Sequence, residues 1–296
     1  MTRDFISSRL QLRPPRMNNE HELDSLRARY DAVVVGSDQI WNPIGHFGEQ
    51  AFFLPFVPPR QRVAYAPSIG ISTVSGHAAE WLAAGTSGFQ HLSIRESSGA
   101  DILKNLLGRD VPVVVDPTLL HDSEYWSDIA GPPSEESDPY VLCYFLQGDA
   151  YARDAVKRLA REKRMKLQVL PFHKRDLEDR EMRAGARFDV GPLEFLRLFR
   201  GASAVFTDSF HGTLFSVIFR RPFLSFRRYD NVVEAASFSR IEGFLSRVGL
   251  VGQVASDIDV PGLEDLDFDL AHKEVDAWRK QSLSFLQSAL AEATNT

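Results

Sequence analysis

The sequence predicts an α/β protein with two domains in tandem, each a parallel sheet covered by helices on both faces. Three observations carry that expectation. Short, continuously apolar runs alternate with stretches whose apolar positions recur at helical spacing, as expected for parallel strands buried on both sides. The 296 residues exceed what one small core supports. The stretch "AGPPSEESDP" at 130–139 is rich in proline and acids, reads as a solvated linker, and divides the chain into 1–130 and 140–296.

In the first half, "YDAVVVG" (30–36) is a β-branched run ending in glycine and is expected as a buried strand. "RVAYAPS" (62–68) and "HLSIRE" (91–96) are expected as two more strands. "SSGADILKNLL" spaces Ile102, Leu103, Leu106 and Leu107 along one helix face, with Ser97 or Ser98 as its cap. "VPVVVDP" (111–117) is expected as a strand stopped by Pro117.

The second half repeats the alternation. "YVLCYFL" (140–146) is a strand and "DAYARDAVKRLAREK" a helix opened by Asp149. "MKLQVLP" (165–171) is a strand, and "GPLEFLRLFRG" a helix with Pro192 near its start. "ASAVFTD" leads as a strand into the buried helix "TLFSVIFR", followed by the strand "PFLSF" and the helix "SRIEGFLSRVGL". A terminal helix from Leu270 to Leu290 is expected to complete the second domain.

Charge and cysteine usage exclude several classes. The formal net charge is −6, whereas a duplex-nucleic-acid binder is usually basic, so nucleic acid is not an expected partner. The single cysteine, Cys143, rules out an intramolecular disulfide and a cysteine-based metal cluster, and suits a reducing compartment. The histidines follow no metal-binding spacing, so no metal is expected. The opening "MTRDFISSRLQLRPPR" lacks the apolar core of a signal peptide, and no apolar run reaches the ~20 residues of a membrane span. A cytoplasmic location follows as an expectation, with peripheral contact to a membrane-borne substrate left open.

Ligands of open parallel α/β sheets bind beyond the carboxyl ends of the strands, so the strand-to-helix junctions are the candidate sites. "AVFTDSFHGTLFSVIF" (204–219) gathers Asp208, Ser209, His211 and Gly212 at one such junction, before Thr213. The start of the helix favours an anion, and a histidine beside it suits general acid/base chemistry. The same residues read equally as a capped helix, with Asp208 or Ser209 as the cap and His211 hydrogen-bonded. "VVVGSDQIWNP" (33–43) places Ser37, Asp38, Gln39, Trp41 and Asn42 after a strand, as a ligand site or an Asx-type turn. "LSIRESSG" offers Arg95 as an anion clamp or as half of an Arg–Glu surface pair. Asp116 precedes Pro117 at a strand end or turn, and "RRPFLSFRR" clusters Arg220, Arg221, Arg227 and Arg228 in an acidic chain.

Taken together, "YDAVVVGSDQIWNP", "AYAPSIG", "LSIRESSGADIL", "VPVVVDPTLL", "GPLEFLRLFRGASAVFTDSFHGTLFSVIFRRPFLSF" and "SRIEGFLSRVGL" resemble the polysaccharide pyruvyltransferase family. They follow the family's order over about residues 30–249, and the pairing of "VGSDQIWNP" with "TDSFHGT" is the specific part. The resemblance implies two Rossmann-like domains in a GT-B-type arrangement. It also implies transfer of a pyruvyl group from phosphoenolpyruvate, a co-substrate rather than a cofactor, onto two hydroxyls of a sugar in a glycan or lipid-linked glycan.

By position, the resemblance makes His211 the catalytic acid/base. It makes Arg95, Arg228 and Arg240 donor-binding, with Ser209 and the amides near Gly212 and Thr213. Asp38, Gln39 and Asp208 fall to the acceptor side. Two departures stand out. Ser209 occupies a position where many members carry arginine, and the sequence enters beyond the family's opening strand and Gly/Asn-rich loop. The first domain is therefore expected to be shortened, or residues 1–29 to improvise. The alternatives are a GT-B glycosyltransferase using a nucleotide sugar and a non-catalytic glycan-binding remnant.

Overall fold

The computed structural model describes residues 5–6, 30–133, 138–172, 177–228, 232–256, 262–263 and 266–294, without the side chains of 232–237. Nearly all of residues 1–29, where the opening unit would be shortened or improvised, lie outside the described residues. The chain divides into two compact units, one of Leu12–Leu120 with Val275–Thr296 and the other of His121–Glu274 with Met1–Gln11.

The first unit holds a parallel three-stranded sheet in the order β1 (Val33–Val35), β2 (Arg62–Ala64), β3 (His91–Leu92). Helix α1 (Gly76–Thr86) joins β2 to β3, and α2 (Ser97–Leu107) follows β3. Its core is aromatic: Trp41 stacks on Phe53 with centroids 5.6 Å apart, and Trp81 meets Phe53 edge-on at 5.0 Å. Gly85 allows this packing, because a Cβ there would lie 2.4 Å from the Phe53 ring. The α2 cap differs from expectation. Glu96 occupies the N-cap position and makes no side-chain capping bond, because its carboxylate is used elsewhere.

"VPVVVDP" does not form the expected strand and pairs only through the parallel bridge Ile94↔Val113. Beyond that bridge its backbone is satisfied by side chains: Tyr65 Oη donates to the Val115 carbonyl at 3.0 Å, and the last helix supplies two more. Ser282 Oγ accepts from the Val115 amide at 3.0 Å, and Trp278 Nε1 donates to the Val113 carbonyl at 2.9 Å. Those side chains supply the partners a ladder would have provided.

The second unit holds a five-stranded parallel sheet. Its order is β5 (Lys166–Val169), β4 (Tyr140–Tyr144), β6 (Ala204–Thr207), β7 (Phe223–Phe226), β8 (Val254–Ala255). In chain order its helices are α3 (Ser123–Ala130), α4 (Ala150–Glu162), α5 (Arg180–Ala184), α6 (Pro192–Gly201), α7 (Phe210–Ile218) and α8 (Val232–Arg247). Strands β6 and β7 are buried at every position, hence their continuously apolar sequences. The expected strands and helices recur here with shifted ends; the sequence does not signal β8, whose two residues carry no periodicity, nor the short helices α3 and α5.

The division of the chain differs from the expected one at two places. Helix α3 belongs with the second unit: Arg197 Nε donates to the Ala130 carbonyl at 2.7 Å, and Arg200 donates to Ser127 and Gly131. The last helix, α9 (Phe268–Thr294), was expected to lie wholly in the second domain. From Val275 onward it belongs to the first unit, where Ala289 and Ala293 pack on Val63 of β2.

Candidate functional site

Each unit carries one polar junction at the carboxyl edge of its sheet. In the second unit, β6 ends at Thr207 and α7 begins at Phe210, with Asp208 and Ser209 between them. Ser209 is the N-cap, and its Oγ accepts from the Gly212 amide at 3.3 Å. The Ser209 carbonyl takes both the Thr213 amide at 3.0 Å and Thr213 Oγ1 at 3.1 Å. Gly212 is required by close approach, because a Cβ there would sit 2.3 Å from Thr207 Oγ1. The amides of Gly212 and Thr213, expected to bind the donor phosphate, are thus engaged within the chain.

Asp208 also differs from its expected acceptor role. Its carboxylate is buried and accepts from the amides of Leu146, Gln147 and Gly148 at 2.5, 2.9 and 3.1 Å. It ties the loop after β4 to the end of β6, so it braces the junction rather than presenting itself to a sugar. Arg228 Nη2 donates to the Asp208 carbonyl at 2.6 Å, and its Nε lies 3.5 Å from Asp208 Oδ2.

His211 lies half-buried on the first turn of α7, its ring 5.7 Å from that of Phe210. Arg240 of α8 lies over the same phenyl ring, its guanidinium carbon 5.6 Å from the centroid, which holds the cation by a cation–π contact. His211, Arg228 and Arg240 are therefore gathered at one junction by α7, the end of β7 and α8. Tyr144, the last residue of β4, joins the junction through its carbonyl, which accepts from Thr207 Oγ1 at 2.6 Å. Burial is the main cause raising its phenol above the ordinary range, opposed by Ser209 and Arg228. The rest of the arginine cluster disperses: Arg220 pairs with Asp269 at 2.6 Å, and Arg227 pairs with Glu242.

In the first unit, Ser37, Asp38, Gln39, Arg95, Glu96 and Asp116 converge beyond β1 and β3. Arg95 was expected as an anion clamp, yet its side chain is only 2 % exposed and faces carboxylates. Its Nη1 donates to Asp116 Oδ2 at 2.7 Å, Asp38 Oδ1 at 3.2 Å and Ser37 Oγ at 3.3 Å. Burial opposes its charge, but Asp116, Glu96 and Asp38 outweigh burial and hold the guanidinium above its usual range. Glu96 Oε1 accepts from Ser68 Oγ and from the Ile69 and Gly70 amides at 2.8–3.1 Å. Asp38 sits in the left-handed region at φ 61° with its side chain 68 % exposed, so one carboxylate of the cluster is presented outward. Gln39 Oε1 accepts from Asn42 Nδ2 at 2.6 Å, which fixes the turn that carries Asp38.

Glu96 and Tyr144 carry no site signal in the sequence, and Asp116 carries an ambiguous one. Asp116 stands at a segment end before proline, a position that signals turn and site alike. Glu96 adjoins Arg95 in sequence, which suggested a surface pair; in fact the two side chains serve different partners. Tyr144 lies in a run buried on both faces, where alternation cannot identify the residue at the carboxyl end.

Among the described residues, no group of three or more His, Cys, Asp and Glu is placed to hold a metal ion. Nor is any helix among them long and apolar enough to cross a membrane.

A comparison with curated proteins finds no match. Two of the solved structures that match are as follows. UDP-GlcNAc 2-epimerase from Methanocaldococcus jannaschii, in complex with UDP-GlcNAc and UDP, is 16% identical, with 88% of this chain and 72% of that one covered and a TM-score of 0.45. MurG from Acinetobacter baumannii is 10% identical, with 93% and 72% covered and a TM-score of 0.41. Likenesses this low say nothing of activity. The family model described as polysaccharide pyruvyl transferase, by contrast, matches residues 1–231. The two polar junctions fall within that match, apart from Arg240 and the rest of α8 beyond it, and the chain belongs to the polysaccharide pyruvyl transferase family.

Proposed function

We propose that the protein transfers the pyruvyl group of phosphoenolpyruvate onto two hydroxyls of one sugar in a glycan or its lipid-linked precursor, forming a cyclic ketal. The supporting observation is the grouping of His211 with Arg228 and Arg240 at the start of α7, in a chain of this family. The donor carries a carboxylate and a phosphate, and two guanidiniums suit both.

His211 first acts as the acid, delivering a proton to the donor's methylene carbon and leaving C2 electrophilic. One sugar hydroxyl adds to C2 and loses its proton to the base form of the histidine. The C2–O bond to phosphate then breaks, phosphate departs with the bond pair, and the second hydroxyl closes the ring, losing its own proton. Arg228 and Arg240 balance charge on the carboxylate and on the departing phosphate. In this reading Asp38, outward-facing and held by Arg95, accepts hydrogen bonds from the acceptor's hydroxyls, and Gln39 holds its loop. Arg95 is then a positioning residue, and the start of α7 supplies its dipole where Ser209 replaces an arginine.

Phosphate release from phosphoenolpyruvate is the direct assay, run with a panel of hexose and hexosamine glycosides and with nucleotide sugars as competing donors. Acceptor-dependent release is expected, and His211→Ala should lower it roughly 10²–10⁴-fold with the circular dichroism spectrum unchanged. An unchanged rate removes His211 from the chemistry. Release of nucleoside diphosphate alone replaces this reading with glycosyl transfer. Saturable glycan binding with no turnover, unaffected by His211→Ala, replaces it with a binding role.

A further inference from the structure

The opposite end of the second sheet carries a feature that pyruvyl transfer does not use. A cavity of about 660 Å³ opens beside the edge strand β5, walled by the end of α4, by β5 and by the segment following α5. Five cationic side chains line it, Lys157, Arg161, Arg164, Lys166 and Arg187, against the single carboxylate of Glu181. Ala160, Met165 and Leu167 give it an aliphatic wall. The surrounding sequence is as biased as the cavity. From Lys157 to Arg187 there are eleven Lys and Arg against five Asp and Glu, in a chain whose net charge is −6.

The sheet register separates this cavity from the junction at His211. Lys166 is level with Tyr140, at the amino end of β4, whereas Thr207 is level with Tyr144 at its carboxyl end. Four residues of strand, about 13 Å at ~3.3 Å per residue, lie between the two levels.

Three of the five lining cations can be recruited. Lys157 is held by Asp154 and Asp179, and Arg187 by Asp189 and Glu194. Arg161 pairs with Glu181 and Lys166 with Asp138 at 2.9 Å, but both cations are more than half exposed, and such surface pairs are weak. Arg164 has no ion-pair partner among the described residues. It follows the α4 C-cap in the left-handed conformation, φ 52°, and lines the cavity.

We propose that this cavity binds a phosphate-class polyanion, a diphosphate-sized group, at a site separate from the His211 junction. Its arginines suit phosphate oxygens bidentately, and its volume suits a small anionic group rather than a duplex. The group can belong to a soluble phosphate compound or to the headgroup of an anionic lipid.

Calorimetric titration of the intact protein with inorganic pyrophosphate tests the site. Saturable binding is expected, weakened at least tenfold by Arg164→Gln/Lys166→Gln and left in place by His211→Ala. Both substituted side chains are exposed, and a circular dichroism melt verifies that the double variant is folded. Co-sedimentation with phosphatidylcholine vesicles, with and without about 30% phosphatidylglycerol, distinguishes the sources. Vesicle binding lost in the double variant assigns the group to a lipid, and pyrophosphate binding without vesicle binding assigns it to a soluble compound. Equal pyrophosphate binding by the wild-type protein and the double variant overturns the proposal. So does its loss on His211→Ala alone, or no binding of either probe by the wild-type protein.

Discussion

Gly212→Ala tests whether the α7 junction is held by steric closeness. In an unconstrained helix interior, replacing glycine by alanine stabilises by about 1 kcal/mol. At residue 212 the new Cβ would lie 2.3 Å from Thr207 Oγ1, 3.0 Å from Thr207 Cβ and 3.1 Å from its Cγ2. Thr207 cannot simply turn aside. It is fully buried, and its Oγ1 donates to the Tyr144 carbonyl at 2.6 Å while accepting from the Ser209 amide at 3.0 Å. Overpacking costs about 1–3 kcal/mol and the two disturbed hydrogen bonds about 1 kcal/mol each. Less the propensity gain, Gly212→Ala should destabilise the second unit by about 2–4 kcal/mol. In a Thr207→Ala background the Oγ1 and Cγ2 contacts are gone, and the same change should cost no more than about 1 kcal/mol. Urea unfolding of the four proteins, with hydrogen exchange across residues 204–218, gives the coupling energy. A neutral or stabilising Gly212→Ala, or additivity within about 0.5 kcal/mol, refutes the steric argument.

Other perturbations have equally definite outcomes. Asp116→Ala removes the nearest carboxylate from the buried Arg95 guanidinium and should cost about 3–5 kcal/mol in urea unfolding. Arg95→Met added to Asp116→Ala should recover part of that loss, and a double variant weaker than the single one contradicts the pairing. Burial raises the Tyr65 and Tyr144 phenols above their ordinary value of 10.0, so the folded chain keeps both protons longer than the unfolded chain. Their contribution to stability is whole below that pH and is lost as pH rises through the folded-state values. Thermal melts across the alkaline range should show this decline, and Tyr65→Phe/Tyr144→Phe should flatten it; an equal slope in both proteins removes the phenols as its cause.

The strands and the chief junctions could be read in the sequence because their signals are local. Continuous apolar runs marked β4, β6 and β7, and "TDSFHGT" marked the start of α7. What the sequence left undecided depends on pairings between distant residues. Whether Asp208 meets a ligand or three backbone amides is settled by the Leu146–Gly148 loop, about sixty residues earlier in the chain. Arg95 reads as an open cation until Asp116, twenty-one residues on, is brought against it. Capping by Ser209, one of two readings open in the sequence, is decided by Thr207 and Gly212 at close range. The segment at 111–117 has strand composition and lacks a strand because α9 supplies its partners from more than 160 residues away.

That last pairing fixes an order of events during synthesis. Most of the second unit is the continuous segment His121–Glu274, which is synthesised whole before the last part of α9, so its sheet can close early. The first unit is interrupted. Its Val113 and Leu119 carbonyls accept hydrogen bonds from Trp278 and Arg279 of the last helix, and its Val115 amide donates to Ser282 of the same helix. The domain translated first is therefore finished last. Until the final helix is made, the apolar surface around Val63 waits uncovered, and a stop codon near residue 275 would damage the part of the molecule encoded farthest from it.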